Sequence, residues 1–151
     1  MKAMKFLDFY QGDFSDDGFE LYIVKDDNNK PMYIGISRDS IWHRWFEGAS
    51  SHMGTNPSGK IYGKSRIGEV VERRFPDSWK WIVELWTKKD CVNVCQTELA
   101  ERDSDKIDIE AVEPYMINKF EPLYNVAHGG GRHEDPLITE RLDKIYNDLF
   151  G

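Results

Sequence analysis

Tyr22 and Tyr33 stand eleven residues apart, on either side of the polar run Asp26-Asp27-Asn28-Asn29. A phenol can accept or relay a proton. It ordinarily titrates near 10, so a metal, a cation or a neighbouring base must make it competent at neutral pH. Arg44 follows on the next predicted helix. Its planar fork of donors stays charged, fits a phosphate and can stabilise charge developing there. Glu113 supplies a carboxylate that could hold one divalent cation. Asn125 lies twelve residues further on. Together these residue types could move a proton, bind an anion and hold a cation. Each also has an ordinary reading. The tyrosines could be a cross-strand pair. Arg44 could be in a surface ion pair with Glu47 or Asp39. Glu113 could be a solvated helix acid, and Asn125 a turn residue after Pro122.

The elements that would position these residues follow from pattern. Residues 20–37 predict a β-hairpin, because two β-rich runs flank the turn formers 26–29. Pro31 lacks an N–H and belongs near the turn or on an edge. With the turn centred between Asp27 and Asn28, Tyr22 pairs with Tyr33, Glu20 with Gly35, and Val24 with Pro31. Opposed residues share a face, so the two phenols stand side by side, with Gly35 leaving open space beside them. A one-residue slip would separate them. Asp39 or Ser40 caps a short helix through 41–47. A polar loop, 48–59, leads to a helix over 60–75 that ends before Pro76. Residues 79–87 predict a third strand, apolar at both parities and so covered on both faces.

Residues 91–102 predict a helix, followed by a polar break at 103–105. Ile109, Val112, Met116 or Ile117, and Phe120 mark a helix over 109–120. Pro114 fits if it lies in the first turn. That would put Glu113 at the positive end of the helix dipole. The glycine run 129–131 and an amphipathic helix over 136–150 close the chain. This order predicts an α+β domain: a small three-stranded antiparallel sheet flanked by helices. Residues 1–19 read as a lead-in arm, 20–128 as the domain, and 129–151 as a Gly-rich loop and helix packed on it.

The 151 residues suit one domain, and 40% hydrophobic with 31% charged residues can bury a sizeable core. The formal charge of −7 argues against a strongly basic nucleic-acid wrapper and a polybasic membrane binder. Charge is uneven, however. Residues 38–74 carry net +3 and the remainder −10. A basic side that includes Lys64 and Arg66 could therefore face a phosphate backbone. No apolar run approaches the roughly 18 residues of a membrane span. An acidic residue comes too early for a secretory signal, so a reducing, cytoplasmic setting is expected. Cys91 and Cys95, with no His nearby, read as buried free thiols rather than a metal site. His128 and His133 flank Gly129-Gly130-Gly131-Arg132, where glycine amides and Arg132 could meet a phosphate.

The set resembles the GIY-YIG endonuclease family, named for two short strand motifs about ten residues apart. Tyr33-Ile34-Gly35 matches the second motif. Glu20-Leu21-Tyr22 stands in the place of the first. Arg44 matches the family's arginine on the following helix. The run from Glu113 through Pro122 to Asn125 matches its later Glu, Pro and Asn. The resemblance spans roughly residues 20–126 and implies a metal-dependent endonuclease acting on DNA, with RNA left open. It implies Tyr22, Tyr33, Arg44, Glu113 and Asn125 as catalytic residues. Glu113 would be the ligand for Mg²⁺, or Mn²⁺ in its place. Gly35, His43, His52, Lys64, Arg66 and Arg132 are expected on the substrate side. The sequence departs from the family at Glu20, at Ile36 where many members have Lys, and at Gly48 where many have His. His43 and His52 are the nearest replacements for that His. The departures and the acidic total motivate an alternative: a catalytically inactive protein of this fold that binds or inhibits a protein or nucleic-acid partner. Paired strand cleavage would favour a homodimer.

Overall fold

The computed structural model describes residues 1–12, 18–47, 51–53, 65–95 and 106–125. In chain order its elements are β1 (Lys2–Lys5), α1 (Phe6–Gln11), β2 (Leu21–Lys25), β3 (Pro31–Ile36), α2 (Ile41–Phe46) and α3 (Arg66–Arg73). A 3-10 turn (Asp77–Lys80), β4 (Ile82–Trp86), α4 (Lys88–Val94) and α5 (Ile109–Phe120) follow. The architecture is α+β, but among the described residues the sheet has four antiparallel strands rather than three, in the order β1-β4-β2-β3. The extra strand comes from the segment expected to be a lead-in arm. Lys2 to Lys5 pair with Leu85 to Ile82. Phe6 and Phe9 of α1 are fully buried.

Alternation along the strands builds two cores. Tyr22, Val24, Val83 and Leu85 face one side and pack with Phe6, Phe9, Trp45, Ile67 and Val71 of α1, α2 and α3. Leu21, Ile23 and Trp86 face the other and pack with Val112, Met116 and Ile117 of α5. A sheet covered on both faces explains why β4 is apolar at both parities. The expected third strand is shortened, because Trp79 and Lys80 belong to the 3-10 turn. Cys91 and Cys95 are buried free thiols in the second core.

Caps set several helix starts. The Ser40 side chain accepts from His43 N–H, and Ser65 accepts from Gly68 N–H. Thr87 and Asp90 form a capping box that starts α4 three residues before the expected position 91. α5 occupies the expected residues, but Asp108 caps it, so Pro114 lies inside the helix rather than in its first turn. The missing amide would have met the carbonyl of Glu110, an exposed residue that water can serve. Glu113 is therefore one turn into α5, and the dipole argument for its ionisation falls away.

The hairpin register also differs. Tyr22 lies opposite Gly35, Ile23 opposite Ile34 and Val24 opposite Tyr33. Two one-residue shifts combine. Asp26 Oδ1 accepts from the amides of Asn28 and Lys30, at 2.9 and 2.8 Å. Asn29 takes a left-handed φ of 64°. These features centre the turn on Asn28. A bulge at Met32, the residue skipped between the Pro31 and Tyr33 pairs, adds the second shift. Either shift alone would have turned one tyrosine to the other face; together they restore it.

Among the described residues, no helix is long and apolar enough to cross a membrane. The expected helix over 136–150, the glycine run 129–131 and the polar break 103–105 lie outside the described residues. So do the ends of two predicted helices, 60–64 and 96–102.

Candidate functional site

β3 is an edge strand, and a cleft of about 320 Å³ opens beside it. Its lining comes from both sides of the sheet: Tyr22, Tyr33 and Gly35 from the hairpin, Arg44 from α2, Ser65 and Arg66 at the start of α3, and Glu113 from α5. Tyr124 and Asn125 close the far side. Of the residues expected in the site, the fold brings together Tyr22, Tyr33, Gly35, Arg44, Arg66, Glu113 and Asn125. His43 lies outside the cleft, with its side chain half exposed and 3.3 Å from Glu47. His52 lies behind the lining, fully buried. Lys64 and Arg132 lie outside the described residues.

The two phenol rings stack at 6.2 Å between centroids and 29° between planes. The Tyr22 ring crosses Gly35, so the space expected there is filled. A methyl group on Gly35 would overlap the Tyr22 hydroxyl and ring. Gly35→Ala is therefore expected to cost about 1–3 kcal/mol by overpacking and to displace the Tyr22 hydroxyl. Urea unfolding of the variant measures this, and an unchanged midpoint would show that the ring gives way freely. Glu20, expected opposite Gly35, instead accepts from Ser37 N–H outside the cleft lining.

Tyr22 Oη lies 2.5 Å from His52 Nε2. His52 Nδ1 in turn lies 2.7 Å from Ser65 Oγ. Burial raises the Tyr22 pKa well above 10, with Tyr33 and Glu113 adding to the effect and Arg44 opposing it. Tyr33 is raised in the same direction, by burial first and then by Glu113, against Arg44. Burial, with the Arg44 guanidinium adding to it, lowers His52 to about 3. Tyr22 is thus a protonated phenol beside a neutral imidazole, suited to pass a proton along rather than to hold a charge.

The His52 shift has a stability consequence with a definite sign. An unfolded imidazole titrates near 6.5, while the folded one does so near 3. Between those values the unfolded chain binds more protons. His52 therefore makes folding less favourable as pH falls, by at most about 1.4 kcal/mol per pH unit. Urea midpoints between pH 7 and pH 5 should fall less steeply in His52→Gln than in the wild type. Equal slopes would mean that the buried ring takes up its proton without cost.

Arg66 stands 5.9 Å from the Tyr124 ring, so a second guanidinium reaches the cleft alongside Arg44. Asn125 uses its carboxamide on the backbone of the edge strand. Its Oδ1 accepts from Ile34 N–H at 2.8 Å, and its Nδ2 donates to the Ile34 carbonyl at 2.7 Å. It thereby pins the residue between Tyr33 and Gly35. Glu113 is 4% exposed and is a lining carboxylate of the cleft. Among the described residues, no three His, Cys, Asp or Glu side chains cluster for a metal. The donor set suits Mg²⁺, which commonly takes one or two carboxylates and fills its remaining positions with water and phosphate oxygens.

Two polar lining residues, Ser65 and Tyr124, were not expected in the site, and neither were the apolar Ile34, Ile36 and Ile67. Ser65 is visible in sequence only as an N-cap type, and Tyr124 only as a neighbour of Asn125. Comparison of the chain with protein-family models, curated proteins and solved structures gives no match.

Proposed function

We propose that this protein is a metal-dependent endonuclease of the GIY-YIG type that hydrolyses phosphodiester bonds in DNA. The observation that carries the reading is the convergence of Tyr22, Tyr33, Arg44, Arg66 and Glu113 on one cleft. These residues come from five separate elements, so proximity in sequence does not account for it. Arg44 and Arg66 bind the scissile phosphate and offset its growing charge. Tyr22 takes a proton from the attacking water while passing its own to His52 Nε2. Its raised pKa disfavours a standing phenolate, so this transfer accompanies the attack. Tyr33 stacks on Tyr22 and lines the phosphate side. Asn125 acts indirectly by fixing β3. Glu113 would hold Mg²⁺, or Mn²⁺, whose bound form supplies Lewis-acid stabilisation of the phosphoryl and leaving oxygens.

His52 fills the need for a histidine beside the site, although it comes from outside α2. The test is cleavage of supercoiled plasmid, single-stranded DNA and RNA by purified protein, with Mg²⁺, Mn²⁺ or chelator. Cutting that chelator abolishes is expected. No cutting of any substrate would overturn the reading. The second reading, an inactive binding protein of the same fold, is favoured by the chain's charge of −7, which opposes DNA. Capture of a partner by a protein that cuts nothing would carry that second reading.

A further inference from the structure

His52 is fully buried, yet both of its ring nitrogens reach groups that line the cleft. Nε2 meets Tyr22 Oη, and Nδ1 meets Ser65 Oγ. The ring therefore bridges two points of one cleft from behind. Ser65 is held in place twice. Its Oγ accepts from Gly68 N–H at 3.2 Å as the cap of α3, and its own amide donates to the His52 carbonyl at 3.1 Å. A hydroxyl oxygen has two lone pairs and one proton. When Oγ accepts from Gly68 N–H and from His52 Nδ1–H, both lone pairs are used. The hydroxyl proton is then left to point elsewhere, and the cleft is the open side. In that tautomer Nε2 is bare and accepts from Tyr22.

We propose that Tyr22, His52 and Ser65 form a two-ended proton relay in which Ser65 gives a proton to the departing oxygen while Tyr22 takes one from the attacking water. The proposal rests on the phosphodiesterase reading. The water O–H bond breaks as the oxygen bonds to phosphorus, and its proton goes to Tyr22 Oη. The phenolic proton goes to His52 Nε2, and the Nδ1 proton goes to Ser65 Oγ. The serine's own proton goes to the leaving oxygen as its bond to phosphorus breaks with the electron pair. No group on the protein gains or loses net charge, which suits a buried imidazole held neutral by its surroundings. His52 ends in the opposite tautomer and returns by the reverse shift through cleft water after product leaves.

The test uses the full chain cutting DNA in Mg²⁺, with rates measured across mixtures of H₂O and D₂O. Ser65→Asn keeps a good helix cap but has no hydroxyl to pass a proton. Ser65→Thr keeps both. The wild type is expected to show a bowed dependence of rate on deuterium fraction, because several protons move together. Ser65→Asn should lower kcat on the order of 10²-fold with little change in KM, as for loss of a general acid. Its dependence on deuterium should bow less, because only the transfers from water through Tyr22 to His52 are left, and Ser65→Thr should recover most of both. A linear wild-type dependence, an unimpaired Ser65→Asn, a bow as deep in Ser65→Asn as in the wild type, or a Ser65→Thr as slow as Ser65→Asn would each overturn the relay alone. A wild type that cuts neither DNA nor RNA would withdraw the nuclease reading, and the relay with it.

Discussion

Glu113→Gln is expected to abolish metal-dependent cleavage while leaving the fold intact. The side chain is 4% exposed and reaches the cleft from α5, on the opposite face of the sheet from Arg44 and Arg66. Glutamine keeps its size but removes the charge that would hold the proposed divalent cation. If the cation supplies several kcal/mol of transition-state stabilisation, the loss is about 10³-fold or more, at tenfold per ~1.4 kcal/mol. Stability should hold or rise, since a buried carboxylate carries a desolvation cost that the amide lacks. The check is plasmid cleavage at saturating Mg²⁺, beside a thermal melt and a DNA-binding measurement. Undiminished cutting by a folded Glu113→Gln would remove this residue from the mechanism. Lost cutting with lost folding would instead make it a structural residue.

Asn125→Ala should produce the largest loss of stability. The carboxamide supplies both hydrogen bonds that a further strand would give Ile34, on an edge that no strand covers among the described residues. Leu123 and Tyr124 extend the same cover, donating from their amides to the carbonyls of Pro31 and Met32. Alanine would leave the Ile34 N–H and carbonyl unmatched behind Tyr124 and α5. Each buried group left unmatched costs about 1–3 kcal/mol, so a loss of about 2–6 kcal/mol is expected for the two. Asn125→Asp should be similarly poor. A carboxylate still accepts from the Ile34 amide, but it has no proton to offer the carbonyl and repels it. Because Ile34 lies between Tyr33 and Gly35, both variants should also slow cleavage, in kcat more than in KM. Urea unfolding decides the matter, and a change of only a few tenths of a kcal/mol would show that water replaces the side chain readily.

These two residues show how unevenly the site can be read from sequence. Glu113 was one of seven acids between residues 98 and 113, singled out by its distance from Pro122 and Asn125. Its place on a helix was legible because Val112, Met116 and Ile117 repeat at helical spacing toward one core. Asn125 was legible as part of the same pattern, but its bonding was not. A carboxamide that completes a strand edge 91 residues away in sequence leaves no local mark. His52 was visible only as a nearby histidine. Its position against Tyr22 and Ser65 depends on how residues 51–53 return to α2, where the amides of His52 and Met53 donate to the carbonyls of Arg44 and Trp45.

Local pattern determined what short-range physics controls. The hairpin, α2, the body of β4 and α5 follow from β-propensity, capping side chains and helical period. The α+β class follows from their order. Tertiary structure decided whatever depends on distant partners. The segment 1–12 has no strong strand pattern of its own. It becomes β1 and α1 because β4 offers an open edge and the first core accepts Phe6 and Phe9. The hairpin register came from one side chain, Asp26, and one bulge at Met32. Tyr22 and Tyr33 nevertheless share a face, because a strand alternates every two residues and a shift of two leaves that parity intact. Assembly of the cleft needed the sheet, since only its edge at β3 brings Arg44 and Arg66 from one face within reach of Glu113 from the other.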